Sequence, residues 1–101
     1  MLHLNKENFE KETKGLIIVD FFADWCMPCR MMAPIFEKLS KEFKGKIKFA
    51  KVDTQTDGEL SGQFNIAGIP CLIVFKDGKE IDRVVGMTSE EVLRERLSSF
   101  L

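Results

Sequence analysis

The spacing of apolar residues changes several times along the chain, and five stretches have the patterns of β-strands. Residues 16–22, LIIVDFF, are a continuous apolar run and predict a strand buried on both faces. Residues 46–52, KIKFAKV, alternate polar and apolar side chains, as a half-buried strand does. Residues 71–75 and 80–85 flank KDGK, which predicts a β-hairpin with an Asp-Gly turn. A short further strand is expected at residues 2–4.

Helical spacing separates these strands. Residues 5–15 open on Asn5, a possible N-cap, and predict a short helix that closes at a glycine. A longer helix is expected over residues 27–45, with Pro34 inside it, where a proline removes one backbone hydrogen bond and kinks the helix. The apolar face of this helix consists of Met32, Phe36, Leu39 and Phe43.

Two further helices complete the pattern. Residues 57–65 predict a weak helix broken by glycines. Residues 88–101, TSEEVLRERLSSFL, begin with Thr88 and Glu91, which have the spacing of a capping box. The order of elements predicts an α/β fold, in which four helices cover both faces of a mixed sheet of four or five strands and the hairpin supplies an antiparallel edge.

Length and composition restrict the class of protein. A chain of 101 residues, 45% hydrophobic and 31% charged, has room for one small domain, taken here as residues 1–101. Its 15 Lys+Arg nearly balance 16 Asp+Glu, which argues against nucleic-acid binding. No apolar run reaches the roughly 18 residues of a membrane span, and the polar N-terminal residues are unlike a secretory signal. We therefore expect a cytoplasmic protein and, by default, a monomer.

Two cysteines in VDFFADWCMPCRMMAP, residues 19–34, are the main chemical feature of the chain. Cys26 and Cys29, two residues apart, could bind a metal, form a structural disulfide or exchange electrons with a partner. A total of three cysteines and a cytosolic setting argue against a framework of structural disulfides. The metal and redox interpretations both stay open on spacing alone.

The predicted elements favour redox chemistry at this pair. Cys26 falls between the end of a buried strand and the start of a helix, where unpaired N–H groups favour a thiolate over a thiol. Cys29 lies almost one turn later, within disulfide reach and farther inside the helix. Cys26 can then attack a partner disulfide, and Cys29 can resolve the mixed disulfide. Pro28 suits the first turn, because its missing N–H has no partner there anyway.

The same stretch resembles the active site of the thioredoxin family. WCMPC is similar to the WCGPC motif, and the whole of VDFFADWCMPCRMMAP resembles the family's strand, active site and proline-kinked helix. The resemblance continues in KFAKVD, in IAGIPCLIVFKDGK around a family cis-proline, and in the glycine turn VVGM. It covers essentially all of the chain in order and implies the thioredoxin fold, with the disulfide as the only redox group and no other cofactor or metal.

The resemblance also implies roles for single residues. Cys26 corresponds to the attacking thiol and Cys29 to the resolving thiol. Asp20 matches the family's buried carboxylate, which accepts a proton from the resolving cysteine, and its place inside an apolar run by itself predicts desolvation and a raised pKa. The alternative for Asp20 is a hydrogen-bonded carboxylate at a strand end. Lys51 matches the lysine beside that carboxylate, with a plain surface lysine as the alternative.

A docking surface follows from the same comparison. Pro70 matches the cis-proline that faces the two cysteines, and the backbone of Ile69 would pair with an extended client chain. An ordinary trans proline at the start of a strand is the alternative. An apolar collar around Cys26 would receive unrelated client disulfides. We expect the collar to consist of Trp25, Met27, Pro28, Ile69, Gly86 and Met87.

Three residues depart from the common family pattern. Met27 stands where glycine is usual, which leaves the redox potential and the contact surface open. Phe22 stands where tryptophan is common. Cys71 follows the proline in place of threonine, and it could be an inert buried thiol, a neighbour that modulates the redox pair, or a third metal ligand.

Two other classes of function compete with a reductase. A zinc or iron–sulfur site normally needs four ligands, and the chain offers three cysteines and His3, although a cluster bridging two chains stays open. A binding module that never cycles is the other alternative. No histidine lies between Cys26 and Cys29, so the dithiol is expected to be reducing. The resemblance implies recharging by a thioredoxin reductase and clients such as ribonucleotide reductase, peroxiredoxin and methionine sulfoxide reductase.

Overall fold

A mixed five-stranded sheet with four helices forms the framework of the molecule. The computed structural model describes all 101 residues. The strands are β1 (Leu2–His3), β2 (Leu16–Phe22), β3 (Lys48–Asp53), β4 (Cys71–Lys76) and β5 (Lys79–Val85). The helices are α1 (Phe9–Glu12), α2 (Met27–Glu42), α3 (Gly58–Gln63) and α4 (Glu90–Ser98). None of these helices is long and apolar enough to cross a lipid bilayer.

The strands lie in the order β1-β3-β2-β4-β5. Strand β3 pairs in parallel with β1 and β2, whereas β4 runs antiparallel to both β2 and β5. The fold class expected from the sequence is therefore confirmed, and both β2 and β4 are interior strands. Their positions explain their continuous apolar runs, because an interior strand covered by helices is buried on both faces.

The sheet separates two apolar cores. Side chains alternate across a strand, so Ile18 of β2 points to one face and Val19 to the other. The first core lies between the sheet and helices α2 and α4, and it contains Met32, Phe36 and Leu97. The second core, on the opposite face, contains Ile17, Val19 and Phe21 of β2 together with Leu4, Leu60 and Phe75. Full burial of each large side chain contributes roughly 1.5–3 kcal/mol to folding.

The hairpin between β4 and β5 has the predicted turn. Lys76 and Lys79 are register partners, so the loop consists of Asp77 and Gly78 alone. Both loop residues have positive φ, 49° and 84°, as a type I′ turn requires. The Asp77 carboxylate also accepts a hydrogen bond from the N–H of Gly15, at 2.8 Å.

Several predicted boundaries are wrong by a few residues. The first helix is assigned only from Phe9 to Glu12, although Asn5 does accept a hydrogen bond from the Asn8 N–H in the preceding turn. Strand β3 begins two residues later than expected. The capping box at Thr88 is also wrong, because Ser89 is the N-cap of α4 and its hydroxyl accepts from the Val92 N–H. Serine and threonine both cap well, so composition does not choose between neighbouring candidates.

Candidate active site

The two cysteines lie at the junction of β2 and α2, as the sequence predicts. Cys26 is the N-cap of α2, with extended backbone angles (φ −85°, ψ 112°), and its sulfur accepts a hydrogen bond from the Cys29 N–H at 3.2 Å. A disulfide joins Cys26 to Cys29, with the Cα atoms 5.2 Å apart. The first turn of α2 thus offers an N–H group to the sulfur, and the helix dipole adds positive potential there.

Exposure differs less between the two cysteines than expected. Cys26 is 5% exposed and Cys29 is 3% exposed, so both are buried in the disulfide form. Together with Ala23 they form a small cluster, against which Phe22 and Ile69 pack. The order of exposure agrees with Cys29 as the inner residue, but the difference is small.

The loop before β4 faces Cys26. The Ile69–Pro70 peptide bond is cis, and the carbonyl oxygen of Ile69 lies 3.8 Å from the Cys26 sulfur. The Pro70 carbonyl accepts a hydrogen bond of 2.7 Å from the Gly86 N–H. Gly86 has φ 88°, a conformation that favours glycine, so the turn after β5 can reach this carbonyl. This contact brings the predicted residues Ile69, Pro70 and Gly86 together beside the disulfide.

Asp20 is a buried carboxyl group without a partner. It is 1% exposed, and neither carboxylate oxygen has a hydrogen-bond partner within the protein. Burial raises its pKa from the ordinary 3.8 to about 6, and the nearby positive charge of Lys51 opposes that rise. Because β2 side chains alternate, Asp20 shares the face of Ile18, which is the face covered by α2.

Lys51 lies on β3 directly beside Asp20. The two residues are register partners in the parallel pair, and the Lys51 ammonium lies 4.7 Å from the centroid of the Phe22 ring. A cleft of about 100 Å³ runs between this lysine and the start of α2. Its lining includes Phe22, Ala23, Asp24, Cys29, Arg30, Ala33 and Lys51. Cys29 therefore borders a small cleft on the same face of the sheet as Asp20, although Asp20 itself does not line it.

The side chains expected in the apolar collar are mostly exposed. Trp25 is 70% exposed and Met27 is 61% exposed, although such large apolar side chains are usually buried. Pro28 and Met87 are also exposed, and Ile69 and Gly86 are partly exposed. Trp25 and Met27 flank Cys26 in the chain, and Ile69 packs against the cysteine cluster, so exposed apolar side chains lie next to Cys26, as at many binding sites.

Cys71 does not join the redox pair in one cluster. Its side chain packs with Phe21, Ile73 and Phe75 in the second core, on the opposite face of the sheet from Asp20. Burial raises the pKa of the Cys71 thiol, which favours the neutral form. The structure contains no group of three histidine, cysteine, aspartate or glutamate side chains placed to hold a metal ion.

The sequence interpretation missed one exposed side chain at this site. Met31 lies one turn after Met27 on α2 and is 58% exposed, so it extends the collar along the helix. The spacing of four residues between the two methionines was the available signal. This spacing is easily overlooked in the sequence, because Met31 is followed directly by Met32, which belongs to the buried face of the helix.

Comparison with known proteins agrees with this geometry. The family model for thioredoxin matches residues 1–99. The thioredoxin of Bacillus subtilis is 38% identical over 96 residues, which cover 94% of this chain and 92% of that protein. A thioredoxin of Staphylococcus aureus is 41% identical over 91 residues, covering 90% of this chain and 88% of its own length. Thioredoxin 1 of Nostoc sp. is 40% identical over 85 residues, with 84% and 79% covered.

The fold and the cysteine pair define a thiol–disulfide oxidoreductase, with the Cys26–Cys29 disulfide as its redox-active group. The chain belongs to the thioredoxin family, because the family model and relatives of about 40% identity both span most of its length. Thioredoxins are protein-disulfide oxidoreductases, and the family in general works with a thioredoxin reductase and with client proteins that carry disulfides.

Proposed function

We propose that this chain, acting as a single monomeric domain, is a cytoplasmic reductant of protein disulfides. The observation that carries the proposal is the position of Cys26, which caps α2, is bonded to Cys29 one turn later and opens onto an exposed apolar collar. Electrons arrive through exchange with a reductase, and the cysteine pair needs no other cofactor. Ribonucleotide reductase, peroxiredoxin and methionine sulfoxide reductase are the proposed clients.

The first step forms a mixed disulfide. In the reduced protein the Cys26 thiolate attacks one sulfur of the client disulfide, the client S–S bond breaks, and the other client sulfur leaves as a thiolate. The Cys29 N–H and the positive end of α2 lie against the Cys26 sulfur, and both stabilise its negative charge. Cys26 is therefore the attacking residue.

The second step releases the client. Cys29 attacks the Cys26 sulfur, the mixed disulfide breaks, and the client leaves reduced while Cys26–Cys29 closes. Cys29 must lose its proton for this attack, and Asp20 is the buried base on the same face of the sheet. With a pKa of about 6, Asp20 is mostly ionised at pH 7 and can accept the proton through an intervening water. Lys51 stabilises the carboxylate before the transfer.

The loop at the cis-proline positions the client chain. The carbonyl of Ile69 points to the Cys26 sulfur, so an extended client backbone can pair there while its disulfide reaches Cys26. Trp25, Met27 and Met87 then cover the flanking client side chains. Backbone pairing with apolar contact accepts many client sequences, which suits a general reductase.

The direction of electron flow follows from the residues between the cysteines. Met27 and Pro28 carry no charge, so nothing in the intervening pair selectively stabilises the Cys26 thiolate. A dithiol without that stabilisation is the stronger reductant, because the reduction potential falls as the reduced form is less favoured. We therefore place the protein with reductants, not with oxidants of the same fold.

A matched pair of variants tests the proposal. Cys29→Ser should form a stable mixed disulfide with a client such as insulin, since no second thiol remains to resolve it. Cys26→Ser should form none, and the wild-type protein should reduce insulin catalytically with dithiothreitol as the electron source. Equal trapping by both variants, or no catalysis by the wild type, would contradict the assigned roles. Mass spectrometry of the trapped adduct identifies the cysteine that carries the client.

A further inference from the structure

Two exposed thioether sulfurs lie beside the redox pair. We propose that Met27 and Met31, here called the methionine ridge, are an oxidation site at which hydroperoxides regulate client docking. This inference rests on the proposed function, because its effect is exerted on the docking of protein clients. The ridge side chains are 61% and 58% exposed, whereas the neighbouring Met32 is 0% exposed.

The ridge is continuous with the surface around Cys26. Met27 is the first residue of α2, and Met31 follows four residues later, so the two side chains share one face of the helix at a Cβ separation of roughly 6 Å. Trp25 and Met87 are exposed as well. A client that reaches the Cys26 sulfur therefore covers Met27 and, along α2, Met31.

The modification needs only a hydroperoxide as co-reactant. The methionine sulfur attacks the peroxide oxygen, the O–O bond breaks, an S–O bond forms, and the sulfur loses two electrons while hydrogen peroxide becomes water. The product, methionine sulfoxide, is polar and chiral in place of a flexible apolar thioether. A methionine sulfoxide reductase can reverse the change.

Treatment with peroxide leaves no lasting modification on the two cysteines. In the disulfide form both cysteine sulfurs are already oxidised and buried. In the dithiol form a peroxide converts a thiolate to a sulfenic acid. The sulfenic acid then condenses with the second cysteine, which forms the same disulfide and releases water. Methionine sulfoxides are thus the change that persists through the catalytic cycle.

The expected consequence is selective for large clients. Two sulfoxides reduce the apolar contact that the ridge gives to a docked protein, so the KM for insulin should rise about fivefold, with little change in kcat. A small aromatic disulfide contacts only the Cys26 sulfur, and its reduction rate should not change. Both cysteines stay chemically unmodified.

The experiment starts from the full chain in its disulfide form. Insulin reduction by the untreated protein is measured first, and the protein is then treated with hydrogen peroxide and freed of it. Peptide mass spectrometry locates the sulfoxides, and KM and kcat are measured for insulin and for the small disulfide. Each variant is compared with its own untreated sample. The test variant is Met27→Leu with Met31→Leu, and the matched control is Met32→Leu.

The account predicts sulfoxide at Met27 and Met31 well before Met32, a raised insulin KM, and loss of most of that rise in the double leucine variant but not in Met32→Leu. Unchanged insulin KM in protein with an oxidised ridge would overturn the inference and leave the proposed function standing. A full response in the double variant would also overturn it. An untreated protein that does not reduce insulin would overturn both.

Discussion

Two buried groups that can lose a proton, Asp20 and Cys71, lie near the same end of the central sheet but on opposite faces. Cys71 pairs in register with Phe21, the residue next to Asp20. Because side chains alternate along a strand, Asp20 faces α2, which carries Cys29, and Cys71 faces the second core. A shift of one residue thus separates the proposed proton acceptor from a residue of the second core.

The two groups also differ in what burial costs the protein. A neutral thiol can be buried among apolar side chains at little cost in free energy, and burial keeps Cys71 protonated. Burial of a carboxylate without hydrogen bonds costs free energy, and the raised pKa of Asp20 reflects that cost. Retention of such a group in a well-packed core is expected where it serves function rather than stability.

The largest expected effect is on stability, through Asp20→Asn. The native pKa of Asp20, about 6, exceeds the ordinary 3.8, so the native state binds more protons than the unfolded chain between these values. Wild-type stability therefore falls as pH rises through this window and stays lowered above it. Removing the charge should raise the free energy of unfolding at pH 7 by about 3 kcal/mol.

Denaturant unfolding of the two disulfide-form proteins across a pH series measures this difference. The advantage of the variant should shrink as pH falls from about 7 and approach zero near pH 4, where the wild-type carboxyl is protonated. An equal difference at both ends of the series would show that something other than ionisation is responsible.

The same substitution should slow the redox cycle. Without a carboxylate to accept the Cys29 proton, resolution of a mixed disulfide by Asp20→Asn should be at least about tenfold slower than by the wild type at pH 7. Stopped-flow measurement of client release from a preformed adduct isolates this step. An unchanged rate from pH 6 to 8 would remove Asp20 from the mechanism.

Cys71→Ser provides the contrast on the other face. Placing a hydroxyl among Phe21, Ile73 and Phe75 should cost roughly 1–2 kcal/mol of stability, since no partner is available there. The rates of both thiol-exchange steps should stay at wild-type values. A marked change in resolution rate, in either direction, would make Cys71 a modulator of the redox pair.

The smallest expected effect comes from Lys51→Met. The lysine charge holds the Asp20 pKa below the value that burial alone would give, so its removal should raise that pKa further. Nuclear magnetic resonance titration of the Asp20 carboxyl carbon gives the pKa directly. A pKa that does not move, or that falls, would show that Lys51 does not act on Asp20.

Local patterns predicted most of the fold. The apolar run of β2, the spacing along α2 and the Asp-Gly turn each correspond to an element in the structure. The order of strands in the sheet is set by contacts between distant segments, so periodicity cannot supply it, and the family resemblance does. Helix ends were the weakest predictions, because neighbouring capping residues such as Thr88 and Ser89 are chemically equivalent.

For a strand buried on both faces, the sequence also could not predict which residues point to which face of the sheet. An apolar run such as residues 71–75 has no polar side to fix which residues face which helix. The sequence therefore does not determine whether Cys71 faces the redox pair. In the structure its side chain lies in the second core. For Asp20 the sequence did indicate burial, since an acidic residue interrupts the run of β2.

The reduction potential of Cys26–Cys29 decides whether the uncharged Met-Pro pair makes this couple a reductant. Trp25 is the only tryptophan and adjoins Cys26, so its fluorescence should report the redox state in graded dithiothreitol buffers. We expect a value near the roughly −270 mV typical of the family, for both wild type and Cys71→Ser. A value of about −180 to −120 mV would contradict it and indicate an oxidant or isomerase.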